Sequence, residues 1–446
     1  MAQKQESNIR NILSSLFSEK WIEKKSRETG FIKRSRKIDP VAFFWTLVFG
    51  FGIGNSRTFA SLRRCYQTEI GESIVPSSFY DRFTSCLVNL MKAALIHLLE
   101  TASEPTRALK GQLAAFKDVV AVDSTVLKLH EMLARKYAGT RITTSKAAAK
   151  LNLAMSVTGR GPHTVKIAPE RVTEPKIMKI GRWVEGRLLI FDLGYYCYEA
   201  FCRIHRNGGF FISKIKKNTN PVLLRLLCSS RKKSLDVSNQ KLRTYLSQSN
   251  EETVDAEGLA HYRRKTRCGK STKVAKSSFR FVALLNSETG EYQVYITNVP
   301  PEKMSVIDIA NAYCLRWEIE IIFRQLKSQF RLADFPTQKA DAVEALVFAS
   351  LITLVVSRTF LIELRRRSPD LEERMPFERW SAIFSEFAVP ILHSLLENRR
   401  RRKQRKPNLL DLMFKEAIDP NAARIGGLLG RVEACMLSED YVFTRP

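Results

Sequence analysis

Two short apolar runs, each followed at once by a lone aspartate, constrain the fold more than any other feature of the sequence. The run VVAV at 119–122 precedes Asp123, and the run LLIF at 188–191 precedes Asp192. Such runs are typical of central strands that are buried on both faces of a sheet. The segment between them alternates as a β-hairpin does, and helix-like and strand-like segments alternate after the second run. The sequence therefore predicts an α/β fold, in which helices lie on the faces of a mixed sheet.

The two aspartates are candidate metal ligands. A carboxylate at the end of a buried strand is costly to keep ionised unless a positive charge neutralises it. Sites in α/β sheets also form at the ends of adjacent strands. Taken singly, however, Asp123 and Asp192 are each more typical of a turn or capping residue that follows a strand. A third ligand is therefore needed before a metal site is favoured.

The stretch YCLRWEIEIIFRQLKSQF at 313–330 supplies a candidate for that ligand. At about 100° per residue, this helix has an apolar stripe made of Leu315, Ile319, Ile322, Phe323, Leu326 and Phe330. A second stripe, directly beside the first, is made of Tyr313, Arg316, Glu320 and Lys327. Surface ion pairs at i,i+4 spacing would explain part of this second stripe, at about 0.3–0.5 kcal/mol per pair. They would not explain the two aspartates.

Glu320 completes a set of three carboxylates. Together with Asp123 and Asp192 it offers hard oxygen donors from two strands and one helix. Such a set suits Mg²⁺ or Mn²⁺ and not Zn²⁺. Trp317, on the far side of the polar stripe, fits either a core position or a stack on an unpaired base.

The local patterns divide the chain into five segments. A helical, DNA-binding-like domain is followed by an α/β core, which a β-rich insertion interrupts, and then by a basic helical region. In order, the predicted segments are 1–107 (helical domain), 108–217 (core, first part), 218–304 (insertion), 305–370 (core, second part) and 371–446 (C-terminal region).

The first segment has two helical candidates that flank a turn, one at 59–69 and one that begins with Ser78 as its N-cap. Arg63, Arg64 and Arg82 lie near this turn. The arrangement is consistent with a helix-turn-helix-like reader of DNA. It is equally consistent with a plain helical bundle.

The charge of the chain favours a polyanionic partner. The 446 residues include 73 Lys and Arg against 45 Asp and Glu, which gives a net charge of +28. Nucleic acid is the simplest partner for such an excess, and a membrane surface is a weaker alternative. The basic runs at 263–273 and 398–406 would either contact a duplex backbone or be solvated charge runs.

The remaining composition predicts a soluble, intracellular protein. The eight cysteines have no C-x-x-C spacing, which is typical of free thiols in a reducing compartment. The N-terminus has no apolar core of a signal peptide. The apolar runs at 41–54 and 345–357 are shorter than the ~18 residues of a membrane span, so we expect buried core helices there and no membrane partner.

Taken together, the motifs resemble the DDE transposases of the bacterial and archaeal IS4 insertion-sequence family. The resemblance covers about residues 118–355. It rests on VDST at Asp123, on FDLGYY at Asp192 followed by GGFFISKIKKN, and on the spacing Tyr313-x2-Arg316-x3-Glu320-x6-Lys327, which matches the Y-R-E-K signature of that family.

The resemblance implies an RNase H-like catalytic core with a β-rich insertion between the second aspartate and the glutamate. Asp123, Asp192 and Glu320 would be the catalytic triad and would hold two Mg²⁺ ions, for which Mn²⁺ would substitute. The remaining signature residues would contact DNA. Arg316 and Lys327 would meet phosphates near the scissile bond.

Tyr313 would contact the DNA backbone or a base, and Trp317 is a further candidate DNA contact. The reaction that the resemblance implies is cut-and-paste transposition. Hydrolysis would free a 3′-hydroxyl at each end of the element, and that hydroxyl would then attack target DNA. The enzyme would act as a homodimer on the paired terminal inverted repeats, in the cytoplasm of a prokaryote and at its nucleoid.

Two other functions are consistent with the same sequence features. An RNase H-like nuclease would cut DNA with the same carboxylates but would not join the cut end to a second DNA. A transposase-derived protein that only binds DNA would have no need of the three carboxylates together.

Overall fold

The computed structural model describes most of the chain, and the statements below concern only the described residues. These are 2–33, 38–53, 58–102, 104–140, 146–228, 237, 239–265, 272–287, 289–330, 332, 335, 337–397, 409–419 and 428–437. The basic run at 398–406 lies outside the described residues. Of the run at 263–273, the same holds for 266–271.

A nine-stranded mixed sheet is the framework of the fold. Its strands are β1 (Val119–Leu129), β2 (Ala147–Ser156), β3 (Pro162–Pro169), β4 (Leu188–Phe191), β5 (Phe210–Lys214), β6 (Val222–Cys228), β7 (Thr253–Lys265), β8 (Thr272–Leu285) and β9 (Tyr292–Thr297).

The first five strands lie in the order β3-β2-β1-β4-β5. β1, β4 and β5 run parallel to one another, whereas β2 is antiparallel to β1, and β3 is antiparallel to β2. The hairpin predicted from the alternating segment is β2–β3. This order with these directions is that of an RNase H-like core, so the predicted fold class is confirmed.

The inserted strands extend the same sheet instead of forming a separate one. β9 pairs with β5, and β8, β7 and β6 follow outward, all antiparallel to their neighbours. β5 is thus an interior strand, covered on its far side by the insertion.

Helices flank the sheet and form the two terminal regions. Within the described residues they are α1 (Ala2–Leu16), α2 (Glu19–Glu28), α3 (Pro40–Trp45), α4 (Phe59–Ile70), α5 (Pro76–Tyr80), α6 (Ser85–Ala102), α7 (Glu174–Ile177), α8 (Tyr198–Arg206), α9 (Leu242–Gln248), α10 (Val306–Tyr313), α11 (Trp317–Ser328), α12 (Ala340–Arg367), α13 (Phe377–Glu397), α14 (Leu409–Ala417) and α15 (Leu428–Leu437).

The largest hydrophobic core joins the N-terminal helices to α12, α13 and the sheet. α12 packs against α6 and against the π-helical segment Thr46–Phe51. Thr353 Oγ1 on α12 donates a hydrogen bond of 2.7 Å to the Val48 carbonyl. A Cβ at Gly52 would lie 2.0 Å from the same Thr353 Oγ1, so glycine is what allows this close approach. Since one core spans several of the predicted segments, the segment boundaries stay a prediction.

α12 contains the apolar run at 345–357, and it is longer than the run suggested. With 28 residues it is the one helix in the described part of the chain that is long and apolar enough to cross a membrane. The prediction that this segment is too short to span a membrane is therefore wrong. Its most apolar 18-residue stretch is 89% buried inside the protein, which confirms the expected buried core helix.

Two expected helices have different bounds in the structure. The helix that was to begin at Ser78 is divided, because α5 begins at Pro76 after Val75 and ends at Tyr80. A tight turn follows, in which the Phe83 amide donates to the Tyr80 carbonyl, and Phe83 is then fully buried in the aromatic core. The stretch 313–330 is also divided, by a 3₁₀ turn at Cys314–Arg316 between α10 and α11.

Candidate active site

Asp123 and Asp192 lie side by side on neighbouring strands. The parallel pairing of β1 with β4 ends at Val122 and Phe191, and each aspartate is the next residue on its strand. The sequence predicts that both aspartates end their strands, and this is correct for Asp192 only. β1 continues to Leu129 because β2 pairs with it along its whole length.

Each aspartate is fixed by a local hydrogen bond. Asp123 accepts from the Ser124 amide at 2.7 Å. Asp192 caps the following 3₁₀ turn by accepting from the Gly194 amide at 3.2 Å. Tyr195 in that turn accepts a hydrogen bond from the Asn152 side chain on β2, which ties the turn to the sheet next to Asp123.

Glu320 lies on α11, which packs over β1. The buried residues of α11 include most of the predicted apolar stripe, namely Ile319, Ile322, Phe323 and Leu326. Glu320 forms an ion pair with Arg316. The Nη1 atom of the same arginine lies 3.9 Å from Asp192 Oδ1, so Arg316 bridges two of the three carboxylates.

The electrostatics of the cluster show that the three carboxylates act on one another. Burial, together with repulsion by Asp192 and Glu320, raises the pKa of Asp123 from an ordinary 3.8 to about 6. The hydrogen bond from Ser124 and the charge of Arg316 act in the opposite direction. A negative charge at Asp123 is therefore incompletely compensated by the protein itself.

The donor set fits a hard divalent cation, although the side chains are not gathered around one point. Among the described residues, no three His, Cys, Asp or Glu side chains are close enough together to form a ready metal site. Burial is the main cause of the raised pKa of Asp123, and the charges of Asp192 and Glu320 add to it. A bound cation would stabilise the ionised form of Asp123 against both effects. Asp123, Asp192 and Glu320 thus have the chemistry expected of ligands for Mg²⁺ or Mn²⁺.

Tyr313 and Trp317 both lie against Arg316. Tyr313 is 8% exposed, and burial raises the pKa of its hydroxyl. Its ring centre is 5.9 Å from the Arg316 guanidinium carbon, and that of Trp317 is 4.8 Å away. Trp317 is half-buried and packs against a hydrophobic core, as its core interpretation expects. DNA contact by either residue stays a prediction.

Lys327 is exposed on α11. Its side chain forms no hydrogen bond or ion pair with the described residues, and partial burial of its ammonium group lowers its pKa. Its predicted role at a DNA phosphate stays a prediction.

The structure adds Lys214 to the cluster, a residue that the sequence reasoning did not single out. Its ammonium nitrogen lies 5.5 Å from the centre of the Tyr313 ring. A signal was present in the sequence, because the runs LLIFD and FFISK each end in a charged residue. Recognising it required the relative register of two parallel strands, which sequence pattern alone does not supply.

Comparisons with known proteins agree with this site. The sequence profile of the family described as "Transposase DDE domain" matches residues 114–356, more than half of the chain. The transposase for insertion sequence element IS231F of Bacillus thuringiensis subsp. israelensis is 23% identical over 385 residues, which are 79% of this chain and 80% of that protein. The transposase for insertion sequence element IS1151 of Clostridium perfringens is 23% identical over 381 residues, with the same two shares.

Among solved structures, the cryo-EM structure of the piggyBac transposase synaptic complex with hairpin DNA aligns with 91% of this chain and 83% of its own, at a TM-score of 0.45 and 9% identity. The assignment rests on the family profile, which covers both aspartates and the glutamate of the site. The chain therefore belongs to the DDE transposases, and its insertion-sequence relatives agree with the predicted resemblance to the IS4 family.

Proposed function

We propose that the chain is a DNA transposase that cuts its insertion sequence out at the ends and joins it to target DNA. The observation that carries the proposal is the position of Asp123 and Asp192, each directly after the last pair of two adjacent parallel strands, within electrostatic range of Glu320. Three neighbouring carboxylates suit phosphodiester chemistry that depends on a divalent metal.

Asp123, Asp192 and Glu320 would hold the metal, which we expect to be two Mg²⁺ ions, with Mn²⁺ as a substitute. When bound, the metal would supply charge stabilisation at the reacting phosphate and a more acidic attacking hydroxyl. The protein holds the carboxylates in place through the strand register and the Ser124 and Gly194 amides.

Arg316 and Lys327 would bind DNA phosphates, and Tyr313 and Trp317 would support or extend that contact. Arg316 is already aimed at the carboxylates, with its side chain 11% exposed between two aromatic rings. A guanidinium held this rigidly suits a phosphate oxygen, because little freedom is lost when it forms charge-assisted hydrogen bonds. The exposed ammonium group of Lys327 would form a second charge-assisted contact with a phosphate.

The DNA partners would be the terminal inverted repeats of the element and its target. We expect a homodimer, because two element ends must be held together for joining. The net charge of +28 supports a DNA partner. The bacterial relatives, which carry the names of insertion sequences, support a place in the bacterial cytoplasm at the nucleoid.

Cleavage of DNA that carries the cognate ends tests the proposal. The wild type, Asp192→Ala and a control, Asp81→Asn at an exposed aspartate, would be compared in Mg²⁺ and in EDTA. We expect cutting by the wild type and the control in Mg²⁺ only, no cutting by Asp192→Ala, and joining of the freed 3′-ends to a plasmid.

The alternatives predict other results in the same experiment. Cutting without joining would identify a nuclease. Tight binding of the ends without cutting under any metal would identify a protein that only binds DNA.

A further inference from the structure

Lys214 occupies the same position on β5 that Asp192 occupies on β4. Phe191 pairs with Ser213 in the parallel register of these strands, so the next residues on both strands are Asp192 and Lys214. Asp123 holds the equivalent position on β1. Neighbouring strands are about 4.8 Å apart, which places two carboxylates and one ammonium group in a single row across the sheet.

The ammonium group of Lys214 lies against two aromatic rings and forms no ion pair with a described residue. Its ammonium nitrogen lies 5.5 Å from the Tyr313 ring centre and 5.9 Å from that of Tyr295. The two rings are themselves in contact, with centres 5.2 Å apart. Burial, reinforced by repulsion from Arg316, lowers the pKa of Lys214, and the attraction of Asp192 offsets only part of this effect.

The ammonium group of Lys214 lacks an acceptor for its protons in the described part of the chain, since it forms no hydrogen bond or ion pair there. It has three donors, and leaving the donors of a half-buried cation unpaired is unfavourable. Aromatic faces attract a cation but accept no strong hydrogen bond from it. The tyrosines therefore orient the ammonium group while leaving its donors for something else.

We propose that Lys214 binds a phosphate of the DNA strand at the catalytic carboxylates. This inference rests on the proposed function. Arg316 lies within 3.9 Å of Asp192, and Lys214 is the neighbour of Asp192 on the next strand. A phosphate beside Asp192 would thus meet cations from both α11 and β5, and it would supply the acceptor that Lys214 lacks.

A purely structural role makes a different prediction for stability. If Lys214 mainly held the two tyrosine rings together, Lys214→Ala would lower the melting temperature of the DNA-free chain. If Lys214 is a substrate-binding cation, the substitution would leave the melting temperature unchanged or raise it, because a half-buried ammonium group with unpaired donors is removed.

A charge-removal experiment on the DNA tests the contact directly. The full chain would bind duplexes with the cognate ends in EDTA, either with an ordinary phosphate at the cleavage position or with a neutral methylphosphonate there. The proteins would be the wild type, Lys214→Ala, Lys214→Arg and the control Lys217→Ala, whose lysine is exposed three residues further on.

We expect the methylphosphonate to weaken binding by the wild type and by Lys217→Ala about tenfold, as loss of a charge-assisted contact does. Lys214→Ala should bind ordinary DNA about tenfold more weakly and show little further loss on methylphosphonate DNA. Lys214→Arg should restore part of the difference in affinity between ordinary DNA and methylphosphonate DNA. If Lys214→Ala lost as much affinity as the wild type when the phosphate is replaced by a methylphosphonate, the proposal would be overturned. A lowered melting temperature of Lys214→Ala together with that same loss of affinity would assign the lysine a structural role instead.

Failure of the proposed function gives a separate result. A wild type that neither binds nor cuts the cognate ends would overturn the transposase proposal and this inference with it. If the wild type cuts and joins the cognate ends, but the methylphosphonate weakens DNA binding by the wild type and by Lys214→Ala equally, only the assignment of Lys214 would be overturned.

Discussion

Arg316 and Glu320 form an ion pair across the first turn of α11, and the same guanidinium nitrogen lies 3.9 Å from Asp192 Oδ1. The arginine thus sits where its charge offsets two of the three carboxylates proposed to hold the metal. It would compete with the proposed metal for those groups as long as no phosphate draws it away. Metal binding and DNA binding are then expected to favour each other.

Substitution of the arginine should expose this competition. In the absence of DNA, we expect Arg316→Gln to bind Mn²⁺ roughly tenfold more tightly than the wild type, because one nearby positive charge is removed. Arg324→Gln, at an exposed position on the same helix, is the control. Titration of Mn²⁺ followed by electron paramagnetic resonance gives the affinities. Equal affinities in all three proteins would show that the ion pair does not oppose the metal.

Glu320→Gln keeps the shape of the side chain and removes its charge. We expect this substitution to abolish cleavage of the cognate ends while their binding stays nearly intact, because the carboxylate would serve the metal and not the DNA. Gel-shift and cleavage assays on the same preparations separate the two effects. A parallel loss of both would mean that the ion pair with Arg316 is structural, and the exposed Glu302→Gln serves as the control.

The raised pKa of Asp123 makes stability depend on pH. Its pKa is 3.8 ordinarily and about 6 in the folded chain, so between these values the folded state keeps a proton that the unfolded state has lost. The free energy of unfolding due to this group therefore falls as pH rises from about 4 to 6 and stays low above pH 6. Without metal, Asp123→Asn should be more stable than the wild type at pH 7.5, by on the order of 2 kcal/mol.

The difference between these two proteins should shrink as the pH falls to 4 and below, because the folded carboxyl group is protonated there and the unfolded one becomes protonated as the pH falls through its ordinary pKa of 3.8. Denaturant unfolding in EDTA at several pH values measures it. A gain in stability that is the same at pH 4 and pH 7.5 would contradict an origin in the charge of Asp123.

Gly52 provides a test of the packing between α12 and the N-terminal region. A Cβ there would lie 2.0 Å from Thr353 Oγ1 and 2.5 Å from the Val48 carbonyl oxygen. Gly52→Ala should therefore force the two segments apart and cost about 1–3 kcal/mol, as overpacking does. Gly430→Ala in α15 has open space around its Cβ and should leave stability unchanged or slightly higher. Thermal melting of both variants decides the matter.

The sequence predicts well those features that depend on local pattern. The strand before Asp192 and the hairpin β2–β3 are both readable from an apolar run and from alternation. The order of the central strands follows from the family resemblance, because strand pairing between distant segments leaves no local signature.

The features that the sequence does not reveal depend on long-range packing. β1 continues past Asp123 only because β2 pairs with it to Leu129. The break after Tyr80 accompanies burial of Phe83 against Phe43 and Phe59, two aromatic rings supplied by other segments. The place of Lys214 beside Asp192 depends on how β4 and β5 are aligned, and a shift by one residue would turn the lysine to the other face.

The pairing of β9 with β5 has a consequence for attempts to shorten this protein. Backbone pairs join Ile212, Ser213 and Lys214 to residues of β9. Deleting the inserted strands would leave the amide and carbonyl groups along this side of β5 unpaired and open to pairing with another molecule. A smaller derivative would therefore be prone to aggregate through that edge, unless a charged side chain, a bulge or a covering helix were built to protect it.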